Sequence, residues 1–155
     1  MTIERILIRG TNWLGDAVMT TPAMQRLRAS FPNAHIALLT TPLTAELFQE
    51  SPLVNEVISC RRRENGVKAF VDAVRQLRER QFDVALLFQN AFEAALMAWL
   101  GNVGMRIGFA EQGRGLLLTH RLHRGAEYRN RHQTLDYLDI VAACEEHAET
   151  RAGLA

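Results

Sequence analysis

The chain has 155 residues and a formal net charge of +1 at pH 7, with 48% hydrophobic and 23% charged residues. This length allows one ordinary domain with its own core, and the composition is that of a globular protein rather than a disordered one. No apolar run is long enough to cross a bilayer, and no basic face interleaved with aromatic residues argues for nucleic-acid binding.

Strands and helices alternate through the first sixty residues. The apolar run ILI predicts a strand that ends at Gly10, and helical spacing follows it, with Pro22 as a source of irregularity in the first turns. The predicted elements are strand 5–9, helix 16–31, strand 35–40, helix 41–51 and strand 54–60.

The second half of the chain continues this alternation. It starts with a predicted charged loop, RRRENG at residues 61–66, and its strand FDVALLF is apolar enough to be covered on both faces. The predicted elements are helix 67–81, strand 82–88, helix 91–100, strand 106–110, a short strand 116–119 and helix 131–147, before a linker or fraying tail at 148–155.

This order predicts an α/β fold, a Rossmann-like parallel sheet with helices on both faces, over residues 1–147. In such sheets, ligands bind at the carboxyl ends of the strands. The loops expected at that edge are 10–15, 40–42, 60–66 and 89–90, with a fifth after residue 110.

The loop GTNWLGD, which follows the first predicted strand, carries a carboxylate in an unusual place. Gly10 and Gly15 lie five apart, but Asp16 follows where a P-loop has Lys, and Asn12 breaks the GxGxxG dinucleotide pattern. Asp16 suits a helix N-cap or a first-turn acid facing the helix dipole. Position alone favours that structural role; the functional alternative is a general base, because the dipole favours the ionised carboxylate that accepts a proton. Both roles are compatible.

Basic residues concentrate in residues 105–132, which contain three histidines and only two acidic residues, Glu111 and Glu127. Such a patch either binds an anion or solvates a surface. Its arginines are Arg106, Arg114, Arg121, Arg124, Arg129 and Arg131.

The two cysteines, Cys60 and Cys144, lie in no CxxC motif and near no His at ligand spacing. They predict reduced, buried thiols and no metal site. The N-terminus lacks the basic head and long apolar segment of a signal peptide, which predicts a cytoplasmic protein.

Three segments carry a resemblance to a known family: RILIRGTNWLGDAVMTTPA, FDVALLFQNAFEAALMAWLGNVGMRIGF and GRGLLLTHR. In this order they resemble the lipopolysaccharide heptosyltransferases of glycosyltransferase family 9, and most of all the heptosyltransferase II type. The resemblance implies a GT-B enzyme, in which two Rossmann-like domains face each other across a cleft. One domain holds the lipid A–Kdo–heptose acceptor, and the other holds the donor ADP-heptose.

The resemblance also implies roles for individual residues. Asp16 would be the general base, held by the loop of Thr11, Asn12 and Gly15. The remaining residues implied to bind the acceptor are Gln89 and Asn90 after the fourth strand, Arg114 in the basic loop and His132 at the start of the last helix. By position alone, Arg61, Arg62 and Arg63 would grip a phosphate or the Kdo carboxylate, or merely form a solvated charge run. Trp13 would stack on sugar or form an aromatic edge of the core.

The implied reaction is a metal-independent, inverting transfer of L-glycero-D-manno-heptose that needs no cofactor. It takes place at the inner leaflet of the inner membrane and requires a second, donor-binding domain. The chain stops near the expected interdomain linker, so we expect it to be inactive alone. The alternative is a stand-alone, non-catalytic Rossmann-like module that binds anions or nucleotides. A phospho-receiver domain is excluded because its acidic residues would stand where ISC and RGT are found.

Overall fold

A computed structural model describes residues 2–124 and 132–154, without the side chains of residues 62–65 and 151–154. The described residues form a six-stranded sheet. Its strands are β1 (Arg5–Arg9), β2 (His35–Thr40), β3 (Glu56–Ser59), β4 (Val84–Leu87), β5 (Met105–Phe109) and β6 (His120–Leu122).

The strand order is β3-β2-β1-β4-β5-β6, and all neighbouring strands are parallel. The strand β1 is central because its ILI run is apolar on both faces, and Ile6 pairs with Ile36 on one side and Val84 on the other. The chain order reverses between β1 and β4, so the ligand-binding crevice of this fold class is expected there. The predicted α/β parallel sheet is confirmed.

Helices cover both faces of the sheet, in two buried layers. They are α1 (Leu14–Met19), α2 (Thr21–Ser30), α3 (Pro42–Phe48), α4 (Arg62–Arg80), α5 (Phe92–Leu100) and α6 (Gln133–Leu154), with a short 3₁₀ helix at Arg114–Leu117. Alternation along β1 sends Ile6 and Ile8 to the layer of α2 and α6, and Leu7 to the layer of α4 and α5. Each face therefore has its own core.

The predicted helix 16–31 is two helices. Pro22 has no N–H to continue the hydrogen-bond ladder, and the hydroxyl of Thr20 donates to the carbonyl of Ala17 at 2.6 Å. Helix α1 therefore ends at Met19, and α2 begins at Thr21.

The predicted charged loop 61–66 is wrong as well, because α4 already begins at Arg62. Gly66, with φ 55° and ψ −126°, breaks that helix internally. Only glycine adopts such a backbone without strain. Gly66, which suggested a loop in the sequence, therefore marks a kink within α4.

The predicted strand 116–119 is also wrong. Gly113 has a left-handed backbone, which starts the 3₁₀ helix at Arg114, and Leu116 is 90% exposed. The sixth strand follows it as β6.

The last helix starts at Gln133, and Arg131, where the sequence predicts its start, lies outside the described residues, as does Arg129. It runs to Leu154, so residues 148–154 are helical rather than a fraying tail. Within the described part of the chain, no helix is both long and apolar enough to span a membrane.

Candidate functional site at the carboxyl ends of the strands

A cavity of about 400 Å³ opens at the carboxyl edge of the sheet, beside the ends of the neighbouring strands β1 and β4. Loops after four neighbouring strands contribute to it. Its lining residues are Arg9, Asn12, Trp13, Thr41, Pro42, Leu43, Cys60, Arg61, Gln89, Ala91, Glu93, Ala94 and Met97. Its walls are mostly apolar with a few convergent polar groups, which is the usual character of a small-molecule site.

The loop after β1 is held by the neighbouring strand β2. The N–H of Gly10 donates to the carbonyl of Leu39 at 2.8 Å, and the hydroxyl of Thr40 donates to the carbonyl of Thr11 at 2.9 Å. Thr11 itself is only 4% exposed and does not line the cavity, so its place in the structure is that of a loop anchor. Asn12 and Trp13 do line it, and Trp13 is 62% exposed.

Asp16 lies in the first turn of α1, three residues after the N-cap position, which Trp13 occupies. The N-cap alternative is therefore wrong, whereas the first-turn position is confirmed. Asp16 does not line the cavity. Burial is the main cause that raises the pKa of Tyr137, on α6, to about 12, and the charge of Asp16 adds to this shift. The Tyr137 hydroxyl accepts a hydrogen bond from Gln133 Nε2 at 2.8 Å.

The loop after β4 presents two polar residues side by side with different surroundings. Gln89 lines the cavity, and its N–H donates to the carbonyl of Arg9 at 3.3 Å. Asn90 is absent from the cavity lining, and its Oδ1 accepts from Arg114 Nη2 at 3.4 Å.

Arg114 has no accessible surface, so the direct acceptor contact expected of it is not available in this structure. Burial lowers its pKa to about 10, which leaves the guanidinium charged at neutral pH. Its nitrogens donate to protein oxygens at the end of β5 and in the loop after β4.

The remaining basic residues that the sequence predicted to bind the acceptor are Arg61, Arg62, Arg63 and His132. Arg61 is exposed and lines the cavity, whereas the side chains of Arg62 and Arg63 fall outside the described residues. His132 is exposed and does not line the cavity, and its Nδ1 accepts from the N–H of Thr134 at 3.2 Å. It thus caps the start of α6.

Sequence reasoning missed Arg9, which lines the cavity as Arg61 does. Its Nη1 donates to the carbonyl of Gly10 at 2.7 Å and its Nη2 to Asn12 Oδ1 at 3.3 Å. Burial lowers the pKa of Arg9, while the nearby Cys60 and Glu93 act in the opposite direction. The sequence feature that could have identified Arg9 is its position at the end of an apolar strand, directly before a glycine.

Glu93 was missed for a different reason. It sits in the first turn of α5, where an acid is expected for the helix dipole alone, and only the fold brings it beside Arg9. Among the described residues, no group of three His, Cys, Asp or Glu side chains could hold a metal ion.

Comparison with known proteins gives a consistent picture. The sequence model of glycosyltransferase family 9 (heptosyltransferase) matches residues 71–152. Lipopolysaccharide heptosyltransferase 2 of Salmonella typhimurium is 31% identical over 119 residues, which cover 73% of this chain and 33% of that protein. The chain thus spans about a third of the length of the curated relatives it matches.

Solved structures agree with the fold. The E. coli ADP-heptose LPS heptosyltransferase II is 25% identical, with a TM-score of 0.73 over 88% of this chain and 40% of that one. A family 9 glycosyl transferase from Veillonella parvula is 19% identical, with a TM-score of 0.79 over 92% of this chain and 42% of that one, which compares the fold alone. With the family model matching more than half of its residues, this chain belongs to glycosyltransferase family 9, the heptosyltransferase family.

Proposed function

We propose that this chain supplies the acceptor site and the catalytic base of an inverting heptosyltransferase. The enzyme moves L-glycero-D-manno-heptose from ADP-heptose to the lipopolysaccharide inner core, and a second domain binds the donor. The observation that carries the proposal is the placement of Asp16 in the first turn of α1, directly after the loop that lines the cavity at the carboxyl ends of β1 and β4.

The chemistry needs one proton acceptor on the acceptor side. The carboxylate of Asp16 takes the proton of the acceptor heptose hydroxyl as that oxygen forms a bond to the anomeric carbon of the donor heptose. The bond from that carbon to the ADP oxygen breaks on the opposite face, so the configuration inverts and ADP leaves with the electron pair. A first-turn carboxylate is a weak base, which suffices when a diphosphate departs.

The cavity would hold the charged part of the acceptor. Arg9 and Arg61 outnumber Glu93 among its charged lining residues, so an anionic group such as a Kdo carboxylate or a phosphate is favoured. Guanidinium groups bind both through paired hydrogen bonds. Gln89 and Asn12 add polar contacts for sugar hydroxyls, and the exposed face of Trp13 suits stacking on a sugar ring.

Position at the membrane follows from a lipid-linked acceptor. Leu43 lines the cavity and is 61% exposed, and Leu47, 46% exposed, is on the same helix. We propose that these side chains touch the inner leaflet as a cytoplasmic, peripheral contact. Vesicle co-sedimentation should fall for Leu43→Ser, and equal recovery of the variant and the wild-type chain would contradict this contact.

Binding is tested by NMR titration of the chain with a soluble heptosyl-Kdo fragment and then with ADP-heptose. The acceptor fragment should shift the signals of Asn12, Asp16 and Gln89, and ADP-heptose should not. Shifts with the nucleotide-sugar alone would show that this half of the site has been assigned wrongly.

The base is tested with Asp16→Asn in the chain joined to its donor domain. Loss of a general base slows transfer by about 10²–10⁴-fold. Asp72→Asn is the matched control, because Asp72 is an exposed acid on α4 that forms an ion pair with Arg75 at 3.4 Å. Equal transfer rates for the two variants would remove Asp16 from the mechanism.

A stand-alone anion-binding module is the second candidate, and the cationic Arg9 inside the cavity is the observation in its favour. It predicts that inorganic phosphate binds Asp16→Asn as well as the wild-type chain or better, and that no sugar acceptor binds. Binding of the heptosyl-Kdo fragment would exclude it.

A further inference from the structure

The largest fully buried side chain among the described residues is a charged one, Arg114. It starts the 3₁₀ helix after β5, and its guanidinium points back under the carboxyl ends of β4 and β5. Burying a cation costs free energy unless its donors are hydrogen-bonded, so the buried guanidinium of Arg114 needs a specific set of acceptors.

Those partners all belong to two neighbouring strand ends. Nε donates to the carbonyl of Phe109, the last residue of β5, at 2.8 Å. Nη1 donates to the carbonyls of Gln89 at 2.7 Å and Ala91 at 3.4 Å, and Nη2 donates to the Oδ1 of Asn90 at 3.4 Å. One planar fork therefore contacts three consecutive residues of the loop after β4.

The strand β5 leaves room for this fork. A methyl group added at Gly108 would lie 2.9 Å from Arg114 Nη2, so the guanidinium would have to move, and 3.2 Å from Leu87 Cβ, which is a tight contact. Glycine at 108 is thus needed to let the guanidinium pass under the loop, and Gly108 and Arg114 form one structural unit.

The loop so held is a wall of the candidate site, because Gln89 and Ala91 both line the cavity. Without the fork, the carbonyls of residues 89 and 91 would lose buried donors, which favours a different loop conformation. A lysine keeps the charge but has a single nitrogen, and it cannot satisfy four acceptors spread over two strand ends.

We propose that Arg114 is a positioning residue for the 89–91 loop and does not itself contact the acceptor. The guanidinium, which packs against Gly108, determines how Gln89 is oriented in the cavity. This replaces the direct contact implied by family resemblance. The identity of the ligand rests on the proposed function, whereas the placement of the loop does not.

The test compares three variants of the chain with the wild type: Arg114→Lys, Gly108→Ala and the control Gly104→Ala. A methyl group at Gly104 would meet nothing closer than the carbonyl of Asp83 at 3.8 Å, so this control adds a methyl without disturbing the fork. The readouts are the NMR signals and amide hydrogen exchange of residues 89–91, the affinity for the heptosyl-Kdo fragment, and urea unfolding.

We expect Arg114→Lys and Gly108→Ala to shift the signals of residues 89–91 and to speed exchange of the Gln89 amide by at least about tenfold, the factor for about 1.4 kcal/mol. Affinity for the fragment should fall in both, beyond any change in Gly104→Ala. Wild-type loop signals in Gly108→Ala, or in a folded Arg114→Lys, would overturn the proposal.

The two proposals fail separately. If the wild-type chain binds no heptosyl-Kdo fragment, the acceptor function is wrong, and the loop signals still decide the role of Arg114. If Arg114→Lys does not fold, Gly108→Ala decides it, since that variant keeps the arginine. Fragment-induced shifts on the Arg114 guanidinium with the loop signals unmoved would establish a direct contact and overturn the positioning role.

Discussion

The two glycines of GTNWLGD should respond oppositely to alanine, although they look alike in the sequence. A methyl group at Gly10 would lie 2.9 Å from Leu38 Cδ1, 3.2 Å from Thr40 Cβ and 3.3 Å from Thr40 Oγ1. The tip of Leu38 can rotate away, but Thr40 is β-branched and is tied to the loop through the carbonyl of Thr11. At Gly15, in the exposed first turn of α1, an added methyl group meets nothing within 4 Å.

The expected change in unfolding free energy for each variant follows from these contacts. Overpacking of this kind costs about 1–3 kcal/mol, so we expect Gly10→Ala to lose about 2 kcal/mol of unfolding free energy. For a chain of this size, that lowers Tm by about 6 °C. Gly15→Ala should instead gain about 0.5–1 kcal/mol, because alanine loses less backbone entropy in a helix than glycine does.

The assay is thermal unfolding followed by circular dichroism, with urea unfolding as a second measure of free energy. The two variants are each other's matched control, since they add the same methyl group at opposite ends of one loop. A Tm for Gly10→Ala equal to or above that of the wild type, or equal shifts in both variants, would refute the reasoning from contacts.

Further predictions concern charge, core and thiol. Partial burial would raise the pKa of Glu145, but hydrogen bonds from Arg26 and Ser30 outweigh it and lower that pKa. This contribution to stability is present above the unfolded pKa of about 4.5 and is lost as pH falls through the lower folded pKa. The urea midpoints of wild type and Glu145→Gln should therefore converge as the pH is lowered from 4.5, and a constant gap would contradict this. Leu77→Ala, at a fully buried position between α4 and the sheet, should cost about 3 kcal/mol in urea unfolding, and a loss below about 1 kcal/mol would contradict the packing. Burial raises the pKa of Cys144 to about 12, so mass spectrometry at pH 8 should find it alkylated only after unfolding; equal labelling rates in native and unfolded protein would refute its burial.

The sequence by itself determined the class of fold and the edge where the site lies. Apolar runs such as those at 6–8 and 84–87 alternate with helical periodicity, and this alternation allows little other than a parallel sheet. It also predicted that Gly10, Asn12, Arg61 and Gln89 lie on loops at the carboxyl edge. These are consequences of local pattern and of strand direction, which sequence carries directly.

Only the tertiary structure decided which side chains face the cavity and which support it. Arg114 and Arg61 look equally exposed in the sequence, but two of the three backbone carbonyls that accept hydrogen bonds from Arg114, those of Gln89 and Ala91, come from residues more than 20 positions away. Arg9 becomes a cavity residue because β2 and β4 flank β1, and Gly108 matters because a guanidinium lies beneath it. Such roles depend on contacts between segments that are distant in the sequence. The sequence names these residues but does not show which of them are in contact.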